Sequence, residues 1–395
     1  MQRDHWRNSL ITFHLGLTIA LLHLFVAACG SIADVPSAIP NSRSSTAAPS
    51  APTRPSPQIS ITPTPIPPPS PSPSPTSQFA VITTPNLSEL SVVLSWAAPR
   101  VYQLSFSPNG GWFAVAEEDG IHRIDVSGQA DELVFPGGYS FSFSGDGNAL
   151  AVRTLAGPNA IYDPRDLSFV ANLPTLGGCP IGYNFALNND ATVLATGWEV
   201  EGGRNVPSSS AIGVINLRAR QCDVALPRIP GEIVSLGFDH EGRYLAVSTT
   251  AGTTFVWNVE ENRQACSLLG VSSRFNPAES VLAVFEGRLI VLWDPATCEV
   301  VHRLGGMPED AFPWLVAELI GISPNGSLLA AALGSRLQIW DTQAVELIYT
   351  ADRAPQTFAR VDFSPDGRYI VTENHEWIEG SVSSGARLLL WAVSP

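Results

Sequence analysis

The string His375-Glu-Trp-Ile-Glu379 holds residue types that bind metals. A zinc hydrolase helix needs two imidazoles one turn apart, as in H-E-x-x-H, so that both meet the ion. Here a glutamate stands where the second histidine would be. His240 and His302 fall in other segments. No metal site is therefore expected, and no cofactor. Covalent chemistry lacks its parts too. The chain has no G-x-S-x-G and no C-x-x-C, and all 22 of its basic residues are arginine. Without lysine there is no phosphate-loop lysine, Schiff base or lysine general base. No catalytic residue is assigned. What remains is acid beside tryptophan: Glu117-Glu118-Asp119, then Trp198, Glu199, Glu201 and Arg204 in GWEVEGGRNVPSSS, and His375, Glu376, Trp377 and Glu379 in ENHEWIEGSVSSG. Large aromatics next to charge suit recognition of a partner.

The whole chain bounds that reading. Its 395 residues carry a formal charge of -14, with 45% hydrophobic and 15% charged residues. A core is affordable, and a nucleic-acid partner is excluded for want of a basic surface. From residue 79 onward there are 34 acids, since only Asp4 and Asp34 precede it, against 18 arginines. The net there is -16, which steers cationic partners toward this part of the chain.

Arg3 and Arg7 precede an apolar run from Leu10 to Val26, followed by Val-Ala-Ala-Cys29-Gly-Ser. A charged start, an apolar middle and small residues make an export signal. The aliphatic residue, two small residues and cysteine resemble the signal of bacterial lipoproteins. That resemblance implies cleavage after residue 28, lipid on Cys29 and a membrane anchor outside the cytoplasm. The competing reading is an uncleaved transmembrane anchor over Leu10 to Ala28, against which His14 and His23 count. Residues 29–78 form a Pro/Ser/Thr-rich tether with no aromatic residue, too poor in apolar surface to fold. As polyproline II it reaches on the order of 140 Å.

The elements that must position the acids come from repetition. FSPNG begins at Phe106, FSGDG at Phe143, LNNDA at Leu187, FDHEG at Phe238, FNPAE at Phe275, ISPNG at Ile322 and FSPDG at Phe363. Proline presets φ, Asp or Asn tolerates the next position, and glycine takes the positive φ, so each is a tight turn. The steps are 37, 44, 51, 37, 47 and 41 residues. A small apolar strand follows each turn, then a third strand ending in HRID, IYD, VIN, VWN, LWD, IWD or LLLWA. Seven units of this period, each of short strands, predict an all-β, seven-bladed β-propeller of four-stranded blades over residues 79–395.

LIVLWD at Leu289 to Asp294 and RLQIWD at Arg336 to Asp341 resemble the WD40 repeat, and the S-P-D-G turn is similar to that of TolB-type periplasmic propellers. The Gly-His dipeptide of WD40 repeats, and with it their buried Asp-His-Ser-Trp network, has no counterpart in this sequence. The last unit lacks a fourth strand, while Glu89 to Trp96 is a strand without a unit. An open ring would leave a bare edge, so residues 89–96 are expected to pair with 387–393. The third-strand residues Trp257, Trp293, Trp340 and Trp391 are assigned to packing between blades.

In this frame the acid-tryptophan segments of units three and seven are loop insertions on one face, with Glu117 to Asp119. The expected function is non-catalytic: a monomeric, lipid-tethered scaffold outside the cytoplasm that binds a basic protein or peptide there. The alternative is a propeller hydrolase or lactonase-like enzyme with an acidic or metal site at the channel mouth. Cys222, Cys266 and Cys298 are placed near or on outer strands of successive units and Cys179 before the innermost strand of the third; adjacent outer strands are too far apart to bridge, so mostly free thiols are expected.

Overall fold

The computed structural model describes residues 79–176, 178–200, 208–306, 319–353, 356–378 and 381–394. Seven antiparallel sheets follow one another. Blade 1 comprises Gln103–Phe106, Trp112–Ala116, Gly120–Asp125 and Asp131–Pro136; blade 2, Gly138–Phe143, Leu150–Thr154, Ala160–Tyr162 and Phe169–Asn172. Blade 3 comprises Asn184–Leu187, Val193–Val200, Ser209–Asn216 and Gln221–Ala225, with Ile229–Pro230 added to its third strand. Blade 4 is Ile233–Phe238, Tyr244–Thr249, Thr253–Asn258 and Arg263–Leu269; blade 5, Val271–Phe275, Leu282–Glu286, Leu289–Asp294 and Glu299–Gly306. Blade 6 is Ile320–Ile322, Leu328–Leu333, Arg336–Asp341 and Glu346–Asp352. Blade 7 supplies Thr357–Phe363, Tyr369–Ile378 and Ser381–Ala392, and its fourth strand is Ser91–Ala98 from the start of the domain. This is the seven-bladed propeller that the repeats predict. The one helix among the described residues is a 3-10 turn, Thr84–Glu89, so none there is long and apolar enough to cross a membrane.

The closing strand runs antiparallel to the last, from Ser91 opposite Ala392 to Ala98 opposite Ala386. An isolated bridge from Ala80 to Val393 extends the seam.

Each repeat motif has a bonding role. In the first turn, the Ser144, Ser323 and Ser364 hydroxyls donate to Asp146, Asn325 and Asp366. The same hydroxyls accept the backbone N–H five residues on, each at 2.9 Å. Asp or Asn at the end of the third strand caps the next turn. Asp125, Asp163, Asn216, Asn258, Asp294 and Asp341 each accept a backbone N–H two or three residues later. The chain then passes through a positive φ at Gly128, Leu167, Arg220, Asn262, Cys298 and Val345. Five of those six are not glycine, so the cap holds side chains where glycine would be favoured.

The core lies between blades. Trp340 packs where blades 5 and 6 meet, Trp391 where 6 and 7 meet, Trp257 against blade 3 and Trp293 against blade 4. Burying such indoles contributes a few kcal/mol each. The Trp391 indole donates to Thr372, but those of Trp257, Trp293 and Trp340 are buried with no hydrogen-bond partner. That agrees with the missing Gly-His dipeptide.

The expectation of free thiols is overturned. Cys179 bonds Cys222 with Cα atoms 6.0 Å apart, and Cys266 bonds Cys298 with Cα atoms 5.7 Å apart. Outer-strand spacing was the wrong measure. Cys179 lies on the connector into blade 3, which folds back over that blade. Cys298 is in the capped turn before the outer strand of blade 5, and its positive φ brings it to the outer strand of blade 4. The second bond closes 32 residues across two blades. A Cys266→Ser, Cys298→Ser double variant should lose about 3–4 kcal/mol in urea unfolding, on the chain-entropy argument.

Candidate functional site

The inner strands surround a cavity of about 860 Å³. It runs from Tyr102 and Tyr139, where inner strands begin, to Asn189 and His240 in the first turns of blades 3 and 4. Neighbouring inner strands are tied across it. Gln103 exchanges bonds with the Phe141 backbone, Ser142 accepts the Leu187 N–H, and Asn184 donates to the Ile233 carbonyl.

On the far side the ring is drawn shut. Arg274 of blade 5 donates to Asp362 of blade 7 at 2.6 Å, reaching past blade 6. Between them lies Gly321, where a Cβ would meet the Val361 carbonyl at 3.2 Å. Asp362 also accepts the Phe106 N–H, so one carboxylate joins blades 5, 7 and 1. The open cavity is thus lined mainly by blades 1 to 5.

Its mouth opens on the face of the second-to-third strand turns. Tyr183 and Leu155 are exposed there, and Tyr102 is 41% exposed. The Arg153 guanidinium lies between the rings of Tyr139 and Tyr183, 4.7 and 4.6 Å from their centroids. Burial there holds its pKa below the usual arginine value.

The acids of blade 1 gather at the same mouth. Glu118 and Asp119 are exposed; Glu117 is 7% exposed and lines the cavity. Burial pushes the Glu117 carboxyl up to about 7, with His122 pulling the other way and neighbouring acids adding to the rise. His122 contacts Asp119 at 2.9 Å through Nε2 and Asp131 at 3.1 Å through Nδ1. Sequence reading passed over His122. Its signal was the spacing Glu117-x-Asp119-x-x-His122 around the Asp119-Gly120 turn, which folds residues 117 and 122 back to one end of a hairpin.

Across the seam in blade 7, His375 contacts Glu373 at 2.8 Å, and Glu373 pairs with Arg360. Desolvation opposes the charge on buried Glu373, yet Arg360 and His375 keep its pKa below the ordinary value. Arg360 also donates to the Val101 and Tyr102 carbonyls of the segment entering blade 1.

The segments read as loop insertions are mostly strand. Glu199 pairs with Ser210 across an extended blade 3 hairpin. His375 opposite Ala386 and Trp377 opposite Val382 likewise lengthen the blade 7 hairpin. Pairing satisfies backbone groups that an irregular insertion would leave to water. Trp198 is half-buried beside Gly213, and Glu199 is exposed, its pKa raised by desolvation and by Glu232. Of Glu376 and Trp377 only the backbone is described, while Glu201, Arg204 and Glu379 lie outside the described residues.

At the other end of the cavity, blade 4 departs from the repeat. Asp239 replaces the turn serine; Oδ1 accepts the Tyr244 N–H at 2.8 Å, while buried Oδ2 has no hydrogen-bond partner. Desolvation raises its pKa despite the backbone bonds.

The class is now defined: a seven-bladed β-propeller with a cavity between its inner strands and an acid-rimmed mouth. The sequence model for the WD domain, G-beta repeat (WD40), matches residues 90–124. Of solved structures, 1561 chains match this fold. One is the β-propeller domain of Cps50 (Swd1) from Myceliophteria thermophila, at 14% identity and a TM-score of 0.55, covering 77% of this chain and 99% of that one. A search of the curated proteins found no match in sequence.

Asp239 yields a pH test. A carboxyl whose folded pKa is raised stabilises below its unfolded pKa of about 4, and that stability is lost as pH rises through the folded value. Asp239→Ser restores the repeat's turn hydroxyl. It should be more stable than the parent by about 1–2 kcal/mol at pH 7, with the gap narrowing toward pH 4 in thermal melts.

Proposed function

We propose that this chain is an exported propeller, lipid-anchored through Cys29 on the outer face of a membrane, whose mouth face binds a protein or peptide with basic side chains. The observation that carries the reading is the composition of that face. Exposed Tyr102, Leu155 and Tyr183 stand beside the carboxylates of Glu117, Glu118 and Asp119. Aromatic anchors bordered by charge suit a binding hot spot, and the -16 charge of residues 79–395 favours encounter with cations.

Protein binding is also common among propellers, although fold alone assigns no partner. Two disulfides support export, because such bonds persist in oxidising compartments. The tether supports a domain held away from the bilayer. Glu199, exposed on blade 3, extends the acidic rim in this reading.

The test is crosslinking pull-down from native membranes with the full-length protein and a Tyr102→Ala, Leu155→Ala, Tyr183→Ala variant. A near-stoichiometric basic partner should be captured by the parent and lost by the variant. Equal capture by both would remove the mouth from the interface. In parallel, Cys29→Ser should move the protein from the membrane to the soluble fraction. Retention in the membrane would refute the lipid anchor.

A further inference from the structure

His122 is held at both ring nitrogens. Asp131 lies at Nδ1 and Asp119 at Nε2, at 3.1 and 2.9 Å. A carboxylate at one nitrogen fixes the ring and turns the other toward a ligand; metal-binding histidines are oriented in this way. Here Nε2 is turned toward Asp119 at the end of the hairpin. One ligand atom each from Glu117, Asp119 and His122 lies within 4.8 Å of the other two. Ligands about 2.0–2.2 Å from a tetrahedral ion sit roughly 3.5 Å apart, so a movement of about 1 Å brings these three together. The Asp119 side chain is 60% exposed, which leaves it room for that movement.

Glu117 supplies an independent observation. The residue is 7% exposed and lines the cavity, and no hydrogen bond to its carboxylate is seen among the described residues. Hairpin geometry aims it toward His122. A carboxyl so enclosed, facing the cavity without a protein partner, is costly unless a proton or a cation neutralises it.

We propose that Glu117, Asp119 and His122 form a binding site for a divalent transition-metal ion, with Asp131 as the residue that positions the imidazole. One nitrogen and two carboxylate oxygens favour zinc, cobalt or manganese over calcium, which prefers oxygen alone. Three protein ligands leave at least one position open toward the cavity mouth. Binding replaces the proton shared by Nε2 and Asp119 and releases it to solvent. The site does not depend on the partner reading above.

The test uses the full-length protein, stripped with chelator, and isothermal titration with zinc chloride near pH 7.5. Cobalt absorption reports the geometry. One equivalent should bind, with a tetrahedral cobalt spectrum. His122→Ala and Asp119→Asn should each weaken affinity at least 100-fold, and Asp131→Asn should weaken it 10- to 100-fold with stoichiometry kept. Glu117→Gln should lower affinity without lowering thermal stability, whereas Glu118→Gln should change neither. Asp119 is exposed, so its variant separates loss of the ligand from loss of the fold. Absence of zinc binding to the parent would overturn the site. So would binding that survives His122→Ala and Asp119→Asn, which would mark an adventitious ion on another histidine.

Discussion

A ring of sheets is stable only if its last sheet finds its missing strand, and here that constraint governs the molecule. Blade 7 has three strands of its own, and Ser91–Ala98 completes it from the other end of the domain. Without that pairing, Ala386 to Ala392 of the last strand would present an open edge. The hydrophobic cluster of Leu388, Leu390, Val371, Phe113 and Val115 forms only when blades 7 and 1 are neighbours. Closure and core are therefore one event. Arg360 reinforces the seam by neutralising Glu373 while binding two carbonyls of the segment that enters blade 1. Breaking one partner of such a buried pair would leave an uncompensated charge, so the pair fixes the seam's geometry more than it adds net stability.

The rest of the ring is locally specified. Serine in the first turn and Asp or Asn in the third-to-fourth turn are short-range bonding devices, repeated wherever the sequence allows them. They set hairpin register within each blade. Blade contacts are then apolar and nearly interchangeable. Two exceptions fall where symmetry breaks, glycine in the short inner strand of blade 6 and aspartate in place of the turn serine in blade 4, while blades 3 and 5 carry asparagine there, Asn188 and Asn276. Gly321 lets blade 7 approach closely enough for Arg274 to reach Asp362, and the cavity is displaced toward blades 1 to 5.

This division explains what could be read from the chain. The turns and the third-strand endings are local, so periodicity exposed the seven blades and the packing tryptophans. The disulfides were not legible, because they depend on a connector folding over blade 3 and on a left-handed residue at Cys298. Neither follows from strand spacing. Glu117 was legible as an acid near the mouth, but not as a buried one. The odd-numbered side of its strand, Phe113 and Val115, packs against blade 7 from the far end of the chain, a neighbour that sequence order does not show. The Arg274–Asp362 pair was hidden for the same reason, since only a closed ring places strands of blades 5 and 7 within reach.

The seam is also where titratable groups collect. Two histidine-carboxylate pairs, one on blade 1 and one on blade 7, flank Glu117, and Glu373 raises its pKa across the junction. An apolar seam of equal area would hold the ring more simply, because every buried carboxylate carries a desolvation cost. Glu373 meets that cost with an arginine and a histidine. Glu117 has neither within bonding distance, though it shares their environment. A carboxyl without a bonding partner beside a well-compensated twin is explained by a ligand better than by packing, and the mouth of the cavity is where such a ligand would arrive.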